Sequence, residues 1–332
     1  MFSRSRYFLP RLWCTGAALA TLLTTSTFAA GPKAYVGNFK DNTVSVIDTD
    51  AGAVVATMPV SAGPHGMAVS PDGRNVYVSG DLASTVSVID TASDRVAQTI
   101  DVGKAPHGLA MKSDGKLLLV AVYGDDRVAF VDTSTRAVIG TVMVAKPHNI
   151  AIPPDDKVAY IGSQEPGHFA LVVIDLVTRA VVRSVRLDKS PRGLEFGNDG
   201  KALYYTLAGV NAIQVLDSAS DKVVAEIPTG ASPHLAGYYR GATVGVSVIQ
   251  GPGELLLFNP ATNAAVRSVA VGKQPHWAAT AGDGKKAYVT NEGSNDVSVV
   301  DLTTGKTTTI AVGNAPRKVV VQGGAASPGK GM

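Results

Sequence analysis

The sequence predicts an all-β protein: a seven-bladed β-propeller with four antiparallel strands per blade, its ring closed by the C-terminal strand joining the N-terminal blade. Three observations carry this. A proline followed by a basic side chain recurs as Pro64-His65, Pro106-His107, Pro147-His148, Pro191-Arg192, Pro233-His234, Pro275-His276 and Pro316-Arg317, with steps of 42, 41, 44, 42, 42 and 41 residues. A second marker keeps the same time: VSVID at 44–48 and 86–90, VAFVD at 128–132, LVVID at 171–175, IQVLD at 213–217, LLLFN at 255–259 and VSVVD at 297–301. Two unrelated motifs holding one period mark a repeat architecture. Third, 35 glycines and 18 prolines amid alternating apolar and polar residues call for many short strands joined by tight turns.

One repeat shows the unit. Residues 66–70 (GMAVS) alternate and read as a first strand, ended by the turn Pro71-Asp72-Gly73. Residues 75–79 (NVYVS) form a second strand, 80–84 a polar loop and 85–89 a third strand. Asp90 to Asp94 turn the chain, with the Asp90 carboxylate placed to accept backbone amides, and 96–102 form the fourth strand. Four such strands in about 40 residues make one propeller blade. The chain enters at 33–37 with a second-type strand and leaves at 317–321 (RKVVV) with a first-type strand. The last strand therefore completes the first blade, which hides the edges that an open stack would expose.

Length alone would point to about two domains, but equal repeats favour one closed ring over residues 30–321. Residues 1–29 read as a secretory signal: Arg4, Arg6 and Arg11 precede a short apolar core around residues 17–23, and Thr27-Phe28-Ala29 offers small residues for cleavage. The apolar stretch is too short and too broken by threonine for a bilayer span of about 20 residues. Periplasmic or secreted protein is the expectation, with no membrane span once the signal is removed. Residues 322–332 read as a frayed tail. The one cysteine, Cys14, falls in the signal, so no disulfide or thiol chemistry is expected beyond it. The signal also holds the whole formal charge of +3, leaving 27 basic against 27 acidic residues. A neutral ring lacks the electrostatic footprint of a general nucleic-acid binder.

Tyr288-Val289-Thr290-Asn291 spells YVTN, with weaker copies at Tyr35, Tyr77 and Tyr160. Together with the Pro-Asp-Gly turns, the V-x-V-I-D strands and the V-G-x-x-P joins, the chain from Lys33 to Val321 resembles YVTN-repeat, WD40-like β-propellers of the bacterial YncE-like type. That resemblance implies the fold and a binding scaffold, with single-stranded DNA among the ligands associated with such proteins. The fifth and sixth repeats depart most: Tyr238-Tyr239-Arg240 replaces the Pro-Asp-Gly turn and Asn259-Pro260 replaces Asp-Thr.

Sevenfold pseudosymmetry gathers the anchors His65, His107, His148, Arg192, His234, His276 and Arg317 around one mouth of the central channel. Five of the six histidines are anchors, and the sixth, His168, lies in a loop read as opening on the same face. A structural role competes with any ligand: an imidazole after a fixed proline can latch one blade to the next. Three binding readings stand beside it. Neutral imidazoles capture copper or zinc, with Glu165, His168 or Glu292 completing the set. Arg192, Arg317 and protonated histidines hold a carboxylate or phosphate. Or the mouth is a macromolecular surface, with Lys40, Tyr123, Glu165, Trp277 and Glu292 at its rim. Aromatic rings beside basic residues can stack on single-stranded nucleic acid, but acids on the same loops oppose this, and a protein partner fits better. There is no G-x-S-x-G elbow, no H-E-x-x-H and no phosphate-cradling glycine loop. A non-catalytic binding module is therefore the leading reading, a metal-dependent enzyme of lactonase or lyase type the alternative, and a monomer is expected. Tyr77, Tyr160 and Tyr288 read as inter-blade packing.

Overall fold

A computed structural model describes residues 1–3, 32–237 and 242–323. The chain divides into two compact units, Met1–Ala30 and Gly31–Met332. Residues 4–29 of the segment read as a secretory signal, Tyr238-Tyr239-Arg240 and all but the first two residues of the tail lie outside the described residues. Among the described residues no helix is long and apolar enough to cross a membrane.

The second unit is a ring of seven four-stranded antiparallel sheets. Blade 1 contains β1 (Lys33–Asn38), β2 (Thr43–Asp48) and β3 (Ala53–Pro59). Blade 2 is β4 (Pro64–Val69), β5 (Asn75–Gly80), β6 (Thr85–Asp90) and β7 (Arg95–Asp101). Blade 3 is β8 (Pro106–Met111), β9 (Leu117–Val122), β10 (Arg127–Asp132) and β11 (Ala137–Met143), and blade 4 is β12 (Pro147–Ala151), β13 (Val158–Ser163), β14 (Ala170–Asp175) and β15 (Ala180–Arg186). Blade 5 is β16 (Pro191–Phe196), β17 (Ala202–Leu207), β18 (Ala212–Asp217) and β19 (Lys222–Pro228). Blade 6 is β20 (Pro233–Gly237), β21 (Gly245–Ile249), β22 (Glu254–Asn259) and β23 (Ala264–Ala270). Blade 7 is β24 (Pro275–Thr280), β25 (Lys286–Asn291), β26 (Asp296–Asp301) and β27 (Thr307–Ala311). The last strand, β28 (Pro316–Val321), pairs with β1 and completes blade 1. Its register runs Ala34↔Val321, Tyr35↔Val320, Val36↔Val319 and Asn38↔Pro316. The only departure from pure β among the described residues of the ring is one 3-10 turn, Tyr123–Asp125, in a segment expected to be loop.

The apolar residues are spent between blades. Met67 and Val69 of β4 pack toward blade 1 with Val44 and Val46, while Ala68 packs toward blade 3 with Leu109 and Met111. Middle strands such as β5 are accordingly buried on both faces, and only outer strands such as β3 show the alternation of a half-buried sheet. Polar latches run along the same seams. Tyr35 Oη donates to Asp94 of the next blade at 2.8 Å, and Tyr160 Oη to Asp221 at 2.9 Å, so tyrosines of the YVTN position do tie neighbouring blades. The strand-end acids act as turn formers: Asp90 Oδ1 accepts the Ser93 amide at 2.8 Å, and Asp132, Asp175, Asp217 and Asp301 repeat the pattern.

Two local features position the anchors. The residue before the anchor proline takes a left-handed φ in six joins: Gly63, Ala105, Lys146, Ser232, Gln274 and Ala315. This swings the chain from the outer strand of one blade to the inner strand of the next. All seven inner strands then carry one extra residue directly after the proline. Pro64 pairs with Gly80 but Met67 with Val78, and the same slip occurs in β8, β12, β16, β20, β24 and β28. A bulge re-aims the side chain that sits in it, and here that side chain is the His or Arg anchor.

The bulge also explains the glycine after it. A Cβ on Gly66 would overlap the His107 carbonyl oxygen, and one on Gly108 or Gly193 would crowd the carbonyl of His148 or His234. The anchor carbonyls are themselves taken by the preceding blade: Ser79 Oγ donates to His107 O at 2.6 Å, Thr206 Oγ1 to His234 O at 2.8 Å and Thr290 Oγ1 to Arg317 O at 2.7 Å. Gly66→Ala is therefore expected to cost about 3 kcal/mol by forcing two blades apart at a hydrogen-bonded seam. Equilibrium urea unfolding reads this, and a loss below about 0.5 kcal/mol would show the seam to be compliant.

Candidate functional site

The five anchor histidines form a continuous belt of rings at one level of the channel. Centroids of His65 and His107 are 3.8 Å apart, His107 and His148 4.0 Å, His65 and His276 5.3 Å, and His234 and His276 4.2 Å. Only His148 and His234 fail to meet, and Arg192 stands between them in sequence and in the ring. His65, His107 and His276 are nearly inaccessible, at 6%, 8% and 6% exposure.

Hydrogen bonds constrain the rings. His276 Nδ1 lies 3.1 Å from the Arg317 carbonyl, which can only accept, so Nδ1 carries the proton in the neutral ring. Asn149 Nδ2 donates to Arg192 O at 2.9 Å and lies 3.1 Å from His148 Nδ1. His107 Nδ1 faces Asp81 Oδ1 at 3.1 Å. Among the described residues His65 Nδ1, His107 Nε2 and His234 Nδ1 are buried with no hydrogen-bond partner.

Burial first, then the charge of neighbouring rings and arginines, holds His65, His148 and His276 well below the ordinary imidazole pKa. Burial and the nearby Arg192 push His234 down to about 3. These four rings are neutral at physiological pH. The latch expected of an imidazole on the next anchor's carbonyl is made by His276 at 3.1 Å. His148 and His234 likewise interact with the backbones of Arg192 and His276, while hydroxyls and Asn149 also hold the anchor carbonyls.

Stacking decides the metal question. A metal lies in the plane of an imidazole, on a nitrogen lone pair. Three adjacent pairs here instead overlap as tilted stacks with interplanar angles of 30–42°, and His65 meets His276 edge-on at 81°. Among the described residues no three His, Cys, Asp or Glu side chains come together in a way that could hold a metal ion. The anchors do not fit copper or zinc capture.

The two arginines differ. Arg317 is neutralised and covered: Glu292 Oε1 accepts from its Nη2 at 3.2 Å and Phe39 stacks on its guanidinium at 3.6 Å. Arg192 has only neutral partners, Ser232 Oγ at 3.0 Å and Gln250 Oε1 at 3.4 Å. It is a half-buried cation with no carboxylate beside it, set where the belt opens.

With this geometry in place the comparisons are specific about fold. Residues 24–115 match the family model of the YNCE-like beta-propeller. The ring is a seven-bladed β-propeller, and its first part is similar to the YNCE-like family. No curated protein matches the chain. Among solved structures, hydrazine synthase of Kuenenia stuttgartiensis aligns at TM-score 0.75 and 20% identity, over 86% of this chain and 99% of that one. The dihydro-heme d1 dehydrogenase NirN in complex with DHE aligns at 0.70 and 19%, over 92% and 78%. A functionally unknown protein from Desulfotomaculum acetoxidans aligns at 0.75 and 14%, over 87% and 98%. At these identities the likeness is one of fold alone.

Within the propeller the remaining sequence candidates separate. Tyr123 borders the belt, 6.4 Å from the His107 ring and under Lys146 Nζ at 5.4 Å, and Lys40 is exposed. Glu292 serves Arg317 rather than standing free. Trp277 is not a rim residue: it is 4% exposed in the apolar layer that joins blades 6, 7 and 1, because its position follows the bulge and turns inward. His168 and Glu165 do not join the belt. They line a cavity of about 430 Å³ with Met143, Phe169, Val181 and Arg186, between the outer parts of blades 3 and 4. The loop carrying His168 extends along the outer strands, so a face shared with the joins does not bring it to the axis. Sequence reasoning passed over Ser232, Gln250 and Asn149, whose roles depend on the bulged backbone, and over Glu195 and Lys318 of the inner strands. Those last two could have been found as the only charged residues in the inner-strand segments after each anchor.

Proposed function

We propose that this protein is an exported, non-catalytic binding module whose histidine-lined mouth seats an acidic group, a carboxylate or phosphate on a small ligand or partner chain, over Arg192. The observation that supports this reading is the contrast between the arginines: Arg317 is neutralised by Glu292, while Arg192 has neutral partners only. A guanidinium with donors to spare binds a carboxylate or phosphate in bidentate fashion. The neutral imidazoles beside it supply N–H donors without adding charge that would have to be desolvated. Nucleic acid is disfavoured by the acids at this mouth, Asp81, Asp41 and Glu292, and by the balanced charge of the ring.

The test is calorimetric titration at pH 7.5 with phosphate, succinate and citrate. Binding by the wild type that falls at least tenfold in Arg192→Gln, and much less in Arg317→Gln, is the expected result. Unchanged affinity in Arg192→Gln would overturn the assignment, as would stoichiometric retention of zinc or copper that is lost when His65 and His107 are replaced by glutamine.

A further inference from the structure

Inside the ring, away from the belt, one carboxylate and one ammonium project from inner strands on different sides. Glu195 belongs to β16 of blade 5 and Lys318 to β28 of blade 1, with blades 6 and 7 between them on the shorter way round. Each lies deep in the protein yet keeps part of its surface open, the combination that a narrow internal channel produces. The residues equivalent to Glu195 in β4, β8, β12 and β24 are Ala68, Ala110, Ala151 and Ala279. The equivalents in β20 and β28 are Gly237 and Val320, so Glu195 is the one charged residue at this position of the seven inner strands.

The two charges are not joined. No nitrogen of Lys318 lies within 4.0 Å of a Glu195 oxygen, and neither side chain has a hydrogen-bond partner among the described residues. What Lys318 has is an aromatic platform, its Nζ standing 3.3 Å from the centre of the Trp277 ring. Burial pushes the Glu195 carboxyl up to about 7 and the Lys318 ammonium down to about 8, while their mutual attraction opposes both shifts. Two separated charges inside a protein are costly unless each is paired. One molecule would pair both if it carried an ammonium and a carboxylate on a short frame.

We infer that the central channel of this propeller holds a second binding site, built from Glu195, Lys318 and Trp277, for a small zwitterion of the α-amino-acid class. The ligand ammonium faces Glu195, and the ligand carboxylate takes the Lys318 hydrogens left free by the indole. The site is distinct from the mouth: Arg192 is spent at the opening of the belt, and Glu195 is three residues further along the same inner strand. Its occupant must carry both charges, because a plain anion leaves Glu195 unpaired and a plain cation leaves Lys318 unpaired.

Calorimetry on the purified protein with L-alanine and L-leucine, beside N-acetyl-L-leucine and L-leucine methyl ester, tests this. Trp277 and Trp13 are the two tryptophans of the chain, so intrinsic fluorescence gives a second readout close to the site. The expected result is saturable binding of the zwitterions, at least tenfold weaker binding of both derivatives, and at least tenfold loss in Glu195→Gln and in Lys318→Met. The exchange Glu195→Lys with Lys318→Glu keeps one charge of each sign and is expected to bind better than either single variant. All of these differences are expected to persist in the Arg192→Gln background, where the mouth no longer takes a carboxylate. Absence of binding at millimolar L-alanine and L-leucine by folded wild-type protein would overturn the inference, as would equal affinity in Glu195→Gln. Binding lost only in Arg192→Gln would overturn it too, by assigning the ligand to the mouth.

Discussion

A chain that ends before Pro316 is expected to lose its cooperative fold. β28 is the inner strand of blade 1 and comes from the far end of the sequence, pairing Val319 with Val36 and Val321 with Ala34. Val319 and Val321 are 0% and 4% exposed, and burying two such side chains contributes about 1.5–3 kcal/mol each. The strand also supplies the Arg317 carbonyl to Thr290 and His276, and the amide just before it, at Ala315, is held by Asn295 Oδ1 at 2.9 Å. Beyond it, Gln322 Nε2 donates to Gly73 O at 2.7 Å and thereby ties blade 1 to blade 2. Removing all of this strips the inner edge from β1 and breaks the circle at the one place where it is closed by a long-range pairing. The expected loss is at least about 5 kcal/mol, comparable with the whole stability of an ordinary domain. Calorimetry should show the single melting transition replaced by a broad one at much lower temperature, partly restored by adding the 316–321 peptide. A truncated protein melting within a few degrees of the full chain would mean that the ring does not depend on its closure.

The fold was legible because the repeat is written twice, once in the proline-basic joins and once in the V-x-V-I-D strands, and each copy gives the same period. Even the ring closure followed from counting strand types at the two ends. What escaped the sequence is backbone geometry with no residue signature of its own. Nothing in Pro64-His65-Gly66 announces a bulge, since the extra residue exists only relative to Gly80 and Val78 on the paired strand. Yet the bulge determines which side chains meet. It brings His65 and His107 into a stack instead of a shared coordination sphere, and the bulge in β24 turns Trp277 from the rim into the core. His168 was placed correctly in its loop but not in space, because the loop runs out along blade 4. Charge balance was equally opaque. Arg192 and Arg317 look alike after their prolines, and only the loop partners Glu292, Ser232 and Gln250 distinguish a neutralised arginine from an available one.

The belt makes the protein acid-labile, and the sign follows from the direction of the shifts. His65, His148 and His276 have folded-state pKa values well below 6.5, and His234 stands at about 3. Below pH 6.5 the unfolded chain takes up protons that the folded belt refuses, so the belt's contribution to stability falls as the pH falls. Glu195, whose folded carboxyl stands at about 7, opposes it by binding a proton the unfolded chain releases. Each such histidine costs at most about 1 kcal/mol per pH unit in this window, which for His234 amounts to about 2 kcal/mol between pH 6.5 and pH 4.5. The turn carboxylates act lower. Asp132, held at about 2 by the Ser134 hydroxyl and the amides of its turn, and Asp90, Asp217 and Asp301, lowered by similar bonds, lose their contribution only below about pH 4. Urea unfolding at pH 7.5, 6.5, 5.5 and 4.5, with Glu195→Gln as the background that removes the opposing carboxyl, therefore isolates the belt. In that background the chain with all its histidines is expected to lose stability at each step below 6.5. His234→Gln with His276→Gln keeps polar side chains without an imidazole, so it should flatten that slope by up to about 2 kcal/mol per pH unit, even though its stability at pH 7.5 is expected to be lower than wild type. A stability that does not change from pH 7.5 to 5 in that background, or a histidine variant with the same slope, would mean that the rings accept protons where they stand. The belt would then be a charged surface at acidic pH, and the mouth would gather anions through its histidines and not through Arg192 alone.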